Sequence, residues 1–439
     1  MMNILSKLLT GMNSDTSSIH SKMTFQPGQI LNGKVIKLFP NGIASLQVGS
    51  QKMVAQLEAS LDVKHRYWFQ VQPGDGKVKL KVIGIVPESR SSQEGTPITG
   101  LMNELSISTK DVKEETIRFF LKEQLPINKE IIQSSAGFLK ESNSLQDGHE
   151  AIKLILQRQL PMTQEAFRAI LSAIDGQASI THLMDHLSNT LQKGPLSANT
   201  SKLLHVLQTL MSSEMNIDRT LAGEIKHNKG QLLSVSDIFK QAISTIGYSY
   251  ENSAIQYMEQ RNKEFDKDMV LKPLLIDYLK ENPQESAKMT AEKLLDKITG
   301  LQLLGQESSP VLQQVVQIPL HIQNKMVNLT LQWNGRRKAN SNEIDPAFCR
   351  VLFYLELETM QETFVDMQVQ NRIITITVMN ENQNLSMLAK PLISNLKEGL
   401  DSLNYTLSNI HFTNLSTVQE KKSPTLLNNS HYSGVDLRI

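Results

Sequence analysis

The chain has a single cysteine, Cys349, among 439 residues. That excludes an internal disulfide and a cysteine-based zinc site. The reading left for this residue is a small buried hydrophobe in a reducing compartment. Aromatic residues are also scarce, at 5% of the total, which argues against a deep aromatic-lined ligand pocket. The formal charge of +1 offers no global attraction to nucleic acid or anionic lipid. No apolar run approaches the ~20 residues of a membrane span, so no membrane insertion is expected. Met1 to Met12 carries one lysine and two apolar pairs, Ile4-Leu5 and Leu8-Leu9, too short for a secretory signal. The expected location is the cytoplasm.

Hydrophobic residues make up 40% of the chain, enough to fold most of it, and its length calls for two to four domains. The expected fold class is multidomain, with a small all-β barrel, a mostly helical middle region and a C-terminal α+β domain. Residues 1–24 are rich in Ser, Thr, Asn and Asp toward their end and are expected to be mobile. From 25 to 87 the apolar period is two: Ala44, Leu46 and Val48, then Met53, Ala55 and Leu57, then Tyr67, Phe69 and Val71, then Val78, Leu80 and Val82. Turn signals at Pro40-Asn41-Gly42, Gly49-Ser50 and Pro73-Gly74-Asp75-Gly76 separate the runs. About five short strands in this span are the pattern of a barrel of SH3 or OB type.

A polar linker, 88–97, leads into a region, 98–304, where apolar spacing changes to three and four and helices are expected. A degenerate repeat runs through it. Phe120 to Glu130 (FLKEQLPINKE) aligns with Ile155 to Glu165 (ILQRQLPMTQE); Pro126 and Pro161 stand 35 residues apart, and Pro195-Leu196-Ser197 follows 34 further on. Proline prevents one helix from continuing, and Asn128, Thr163 or Ser197 is placed to cap the next. A stack of helix pairs and a bundle with a recurring corner both fit this pattern.

Several stretches imitate chemistry. Gly28 to Val35 (GQILNGKV) nearly matches a phosphate-binding loop, but valine replaces the magnesium-binding Ser/Thr and the next residues alternate as a strand. His182 and His186 stand one helical turn apart, a zinc-compatible spacing, yet no third-ligand motif is near and they read as surface histidines. Lys77, Lys79 and Lys81 share one face of the last barrel strand, and residues 25–87 hold eight Lys/Arg against three acids. Trp68 is out of phase with Tyr67 and Phe69, so an outward tryptophan beside basic residues would make a single-strand nucleic-acid platform. The plainer reading is an edge strand protected by lysines. No GxSxG, glycine fingerprint or motif-fixed carboxylate pair is present, so no catalytic residue, cofactor or metal ligand is assigned, and the chain reads as non-enzymatic.

After a polar boundary near Gly305 to Pro310, residues 315–333 read as a hairpin with its turn near Asn324-Lys325 and with Pro319 at an edge or bulge. Residues 350–412 then read strand, strand, strand, helix, strand, and 419–439 as a polar, irregular, mobile tail. Within the module, Leu355, Leu357 and Met360 precede Gln361; Val365, Met367 and Val369 form the return, and Ile374, Ile376 and Val378 the next strand. Lys390-Pro391-Leu392 opens a run through Leu396 and Leu400 to Asn404, and Leu407, Ile410 and Phe412 close the sheet. Leu385, Leu388, Leu392, Leu396, Leu400 and Leu403 make one apolar stripe, which the sheet is expected to cover.

This pattern resembles the C-terminal domain of flagellar hook-length control proteins, over about 65 residues, or about 110 with the preceding hairpin, taking the module as 310–418. There a leucine-rich signature ends in glycine, where Gln361 stands here. A Leu-Pro corner corresponds to Lys390-Pro391, and a glycine follows the helix where Asn404 stands, asparagine being next-best for a left-handed helix end. The resemblance implies an interaction protein. Its partner would be the cytoplasmic domain of the self-cleaving switch component of the flagellar export gate, and its effect a change in type III export specificity. A segment such as 1–24 would suit an export signal. The ordered barrel and helical region depart from the low-complexity N-terminal half usual in that family.

Overall fold

The computed structural model describes residues 27–415 apart from 49–50, 60, 75–77, 87–96, 109, 111, 177, 196, 213–233, 253, 256–266, 306–310, 323–324 and 339–343. The terminal segments 1–24 and 419–439, nearly all of the linker and Lys77 therefore lie outside the described residues.

Period-two alternation in the first part folds into β1 (Ile30–Phe39), β2 (Ile43–Val48), β3 (Gln51–Leu57), β4 (Arg66–Gln72) and β5 (Lys79–Ile85), a closed barrel in the order β1-β2-β3-β5-β4. β1 closes antiparallel on β4, while β3 meets β5 in parallel. Of the two expected barrel types this is the OB order. Val35, Leu46, Phe69 and Leu80 fill the interior and are fully buried.

The main α-helices of the middle region are α1 (Pro97–Glu104), α2 (Glu114–Lys122), α3 (Lys129–Glu141), α4 (Leu145–Gln157), α5 (Gln164–Ile174), α6 (Ile180–Leu191), α7 (Ala198–Leu210), α8 (Val235–Ile246), α9 (Leu271–Lys280) and α10 (Glu285–Leu304). Both full copies of the repeat turn in the same way. Gln124 and Gln159 take φ of 55° and 54°, and Leu125 and Leu160 N–H donate to Phe120 and Ile155 C=O at 2.9 Å. Asn128, Thr163 and Ser197 accept from the N–H groups of Ile131, Ala166 and Thr200, capping α3, α5 and α7. Each such cap is worth about 1 kcal/mol. The first corner also fastens the barrel. Gln29 and Pro126 form a β-bridge, Ile127 N–H donates to Gly28 C=O at 3.0 Å, and Gln70 Nε2 donates to Ile127 C=O at 3.2 Å.

Two cores meet on α10. Ile30, Trp68 and Val86 from the barrel join Leu101, Phe120, Ile127, Leu301 and Leu304 in one, and Ala291, Leu294 and Ile298 of α10 enter the other beside α6 to α9. α10 packs on α5 and α6. At Gly300 the backbones nearly touch: a Cβ there would collide with the carbonyl oxygen of Ala169 and lie 2.8 Å from the Cβ of Ala173.

The last part is one six-stranded sheet, β6 (Val311–Ile322), β7 (Lys325–Arg337), β8 (Ile344–Leu357), β9 (Gln361–Gln370), β10 (Ile373–Met379) and β11 (Thr406–Thr413), in the order β11-β10-β9-β8-β7-β6. Only the β10–β11 pairing among these is parallel. The hairpin β6–β7 belongs to this sheet, yet its Val316, Ile318, Leu329 and Leu331 sit in the helical core. Pro319 lies in β6, an edge strand, where a missing donor is tolerated. That edge is closed by the helical region. The Tyr248 hydroxyl donates to Gln317 C=O at 3.0 Å and accepts from Gln317 N–H at 3.1 Å, and His321 Nε2 lies 2.8 Å from Met211 O.

Lys297 of α10 is 1% exposed, with its ammonium donating to the backbone oxygen of Asp175 at 2.6 Å. Burial, partly offset by the Asp175 charge, brings its pKa down from 10.5 to about 8. The unfolded chain therefore binds this proton more tightly than the folded one. Stability is lost as pH falls from 10.5 toward 8, and regained on the way up. Between pH 8 and 10 the gain should be about 2 kcal/mol in denaturant titrations, and Lys297→Met should abolish it. At the helix crossing, Gly300→Ala should cost about 2–3 kcal/mol through overpacking. Gly137→Ala in α3, where an added Cβ meets nothing within 4 Å, should instead be neutral or stabilising by up to about 1 kcal/mol.

Candidate protein-interaction surface

The C-terminal module crosses from β10 to β11 through α11 (Leu385–Ala389), a 3-10 turn (Lys390–Leu392) and α12 (Ile393–Ser402). The helix thus starts before Pro391 and does not open there. Proline, lacking an N–H, interrupts it as the tighter turn between two helical pieces. α12 ends in a Schellman arrangement: Tyr405 N–H donates to Leu400 C=O at 2.9 Å, Asn404 N–H donates to Asp401 C=O at 3.0 Å, and Asn404 takes φ of 63°. Gln361, at the signature's glycine position, takes φ of 54°. Its side chain donates to Glu358 C=O at 2.8 Å, so the turn between β8 and β9 keeps the backbone that a glycine would hold more readily.

The stripe of leucines is where sequence and structure part. It was expected to lie under the sheet, but neither α11 nor α12 buries a residue fully. Leu388, Leu392, Leu396 and Leu403 are 58%, 62%, 41% and 64% exposed, and Met387 is 69% exposed. Only Leu400 and Tyr405 from this segment reach the module's small core of Val369, Ile374 and Ile376. Cys349 belongs to the same core's margin, and burial, reinforced by the Asp345 charge, raises its thiol pKa. Of the signature positions, Leu357 and Met360 are half-buried, whereas Gln361, Pro391, Leu392, Leu396 and Asn404 face solvent.

Beside the helix lies a strand with no further neighbour among the described residues. β11 ends the sheet opposite β6, and its residues Thr406 to Thr413 include no lysine, proline or acid. Leu407, Ile410 and Phe412 pair with Ile374, Ile376 and Val378 on the face that α12 covers, and all three stay half-buried. Edge strands ordinarily carry a charge or a proline that deters pairing. This one carries neither.

Polar groups that periodicity does not reveal hold the module in shape. Asn380, 3% exposed, donates through Nδ2 to Met360 C=O at 2.6 Å, Glu362 C=O at 3.0 Å and Thr363 Oγ1 at 2.9 Å. It ties the β8–β9 turn to the end of β10. Arg350 and Asp366 form a two-pronged ion pair between β8 and β9, each contact 2.8 Å. The only signal for Asn380 in the sequence is its place, directly after an alternating run and before Asn382 and Asn384.

The other candidates fare differently. Lys79 and Lys81 are exposed, but Trp68 is 6% exposed and packed into the barrel–helix core. It does point away from the barrel interior, and the helical region covers it. The nucleic-acid platform therefore loses its aromatic. His182 and His186 lie exposed on α6, with His186 Nδ1 3.1 Å from Thr290 Oγ1. Among the described residues no group of three His, Cys, Asp or Glu is placed to hold a metal, and no helix is long and apolar enough to cross a membrane. A cavity of about 40 Å³ lies between the α5–α6 turn, Lys297 and strands β6 to β8. It has room for a few waters and none for a metabolite.

The chain is similar to the uncharacterized protein YlqG of Bacillus subtilis strain 168, at 22% identity over 548 aligned positions covering 94% of each chain. The match thus spans barrel, helices and sheet together. No protein-family model and no solved structure matches the chain.

Asn380→Ala would remove the donor to the Met360 and Glu362 carbonyls and to the Thr363 hydroxyl oxygen. It should cost about 2–3 kcal/mol in denaturant unfolding, more than the exposed Asn395→Ala, which should stay within about 0.5 kcal/mol.

Proposed function

We propose that this chain is a non-enzymatic interaction protein whose α11–α12 leucines and β11 edge dock a protein partner. The observation that carries the reading is the uncovered stripe of Leu388, Leu392, Leu396 and Leu403 over a sheet that ends in an open, uncharged strand. Contiguous apolar surface of this kind marks association sites. Each leucine newly buried would contribute on the order of 1–2 kcal/mol. The resemblance of residues 350–412 to hook-length control proteins supplies the partner class: the cytoplasmic domain of the flagellar export-gate switch protein, with regulation of type III export as the outcome. The closed β6 edge and the helical packing of β6–β7 leave the β11 side of the sheet as the accessible one.

The test is a calorimetric titration of the full chain against that cytoplasmic domain. Saturable binding is expected, weakened at least tenfold by Leu392→Asp with Leu396→Asp. These positions are exposed, so unfolding stability should change by no more than about 0.5 kcal/mol. A folded chain that shows no heat at high concentration would remove the export-gate partner from the reading.

A further inference from the structure

Two histidines belong neither to the C-terminal surface nor to a core. His182 and His186 lie one turn apart on the exposed side of α6, with Asp185 and Asn189 on the same side. Leu183, Met184 and Leu187 hold the opposite side in the helical core, so the backbone carrying both imidazoles is fixed. The start of the helix is fixed as well, because Ser179 Oγ accepts from His182 N–H at 3.1 Å. The two rings are nearly parallel, with an interplanar angle of 20° and centroids 6.5 Å apart. Imidazoles that share one ion through bonds of about 2.0–2.1 Å stand roughly 5–6 Å apart, centre to centre. A small rotation of the exposed His182 ring closes the difference.

Thr290 of α10 sets this pair apart from ordinary surface histidines. It is 7% exposed, and its hydroxyl donates to Ser286 C=O at 3.0 Å. A hydroxyl has one proton to give, so toward His186 Nδ1, 3.1 Å away, it acts as acceptor. Nδ1 of His186 therefore carries the hydrogen, and the free lone pair is on Nε2. A fixed partner that sets the tautomer and orientation of a ligating histidine is a regular part of metal sites. The first turn of a helix disfavours a cation. Asp185, whose Oδ2 accepts from Asn189 Nδ2 at 3.1 Å, adds a compensating negative charge to the same side.

We propose that His182 and His186 bind a divalent transition ion of the class that imidazole prefers, Zn(II), Ni(II) or Cu(II), through Nε2 of each ring. Water fills the remaining positions, and Thr290 is a positioning residue. Among the described residues no third protein ligand is placed to close the site, so the ion is exchangeable and the fold does not depend on it. The inference is independent of the export-gate reading, since α6 lies outside the C-terminal module.

Calorimetric titration of the full chain with zinc chloride tests it. The double variant His182→Ala with His186→Ala sets the background from the rest of the chain's ten histidines. Above that background, one ion per chain is expected. Each single alanine variant should weaken binding at least tenfold, and both should fold, because these side chains are exposed. Thr290→Val removes the hydroxyl and should weaken binding about tenfold, whereas Thr290→Ser, which keeps the hydroxyl, should bind as the unsubstituted chain does. Binding no tighter than that of the double variant would overturn the site. Equal affinity in Thr290→Val and Thr290→Ser would overturn the role of Thr290 and reduce the pair to surface histidines. One ion for every two chains would overturn the single-chain site, because the metal would then join two copies.

Discussion

Everything in the middle of this molecule depends on how closely α10 approaches α5. The crossing at Gly300 leaves no room for a Cβ between the helices. α10 is thereby drawn in far enough to serve both cores, with Leu301 and Leu304 turned to the barrel side and Ala291, Leu294 and Ile298 to the other. Had the helices stood a methyl group further apart, each of these contacts would loosen at once, since close-packed interiors absorb little displacement. The buried Lys297 lies one turn before this crossing, and its ammonium donates to the backbone at the end of α5. The charge is accommodated there through that hydrogen bond, although burial still lowers the pKa of the group.

Local rules made much of the architecture readable. Alternation identified the barrel strands because each has one wet and one buried face, and the Leu-Pro corners identified helix starts because Asn128, Thr163 and Ser197 act within four residues of themselves. The unread features are set by distant partners. Trp68 is out of phase with the barrel interior, but a sequence window cannot show that this outer face joins a core shared with the helical region. The leucine stripe of α11–α12 was equally visible, and amphipathicity implies a covering surface. It does not say whether that surface belongs to the same part of the chain. Asn380 and the Arg350–Asp366 pair carry no periodic signal at all, being polar groups recruited by turns and cross-strand neighbours.

The two edges of the C-terminal sheet make a contrast that gives the candidate site its direction. At β6 the backbone of Gln317 is satisfied by the Tyr248 hydroxyl, and the hairpin is embedded among helices. At β11, among the described residues, no further strand pairs and the leucines of the helix above stay exposed. One end of the sheet thus joins the parts of the chain, and the other ends among the described residues beside exposed leucines. The exposed leucines of α11–α12 and the β11 edge lie at the same end of the sheet.

The embedding of β6–β7 in the helical core also fixes an order of events during synthesis. α6 to α9 leave the ribosome before Val316, Ile318, Leu329 and Leu331 exist to seal them. At about 5–20 residues per second, the helices wait several seconds with an apolar flank bare. The same dependence runs in reverse when the gene is cut. A fragment beginning near residue 310 would carry the hairpin away from the helices that bury it, leaving Val316, Ile318, Leu329 and Leu331 bare on one side and the helical core bare on the other.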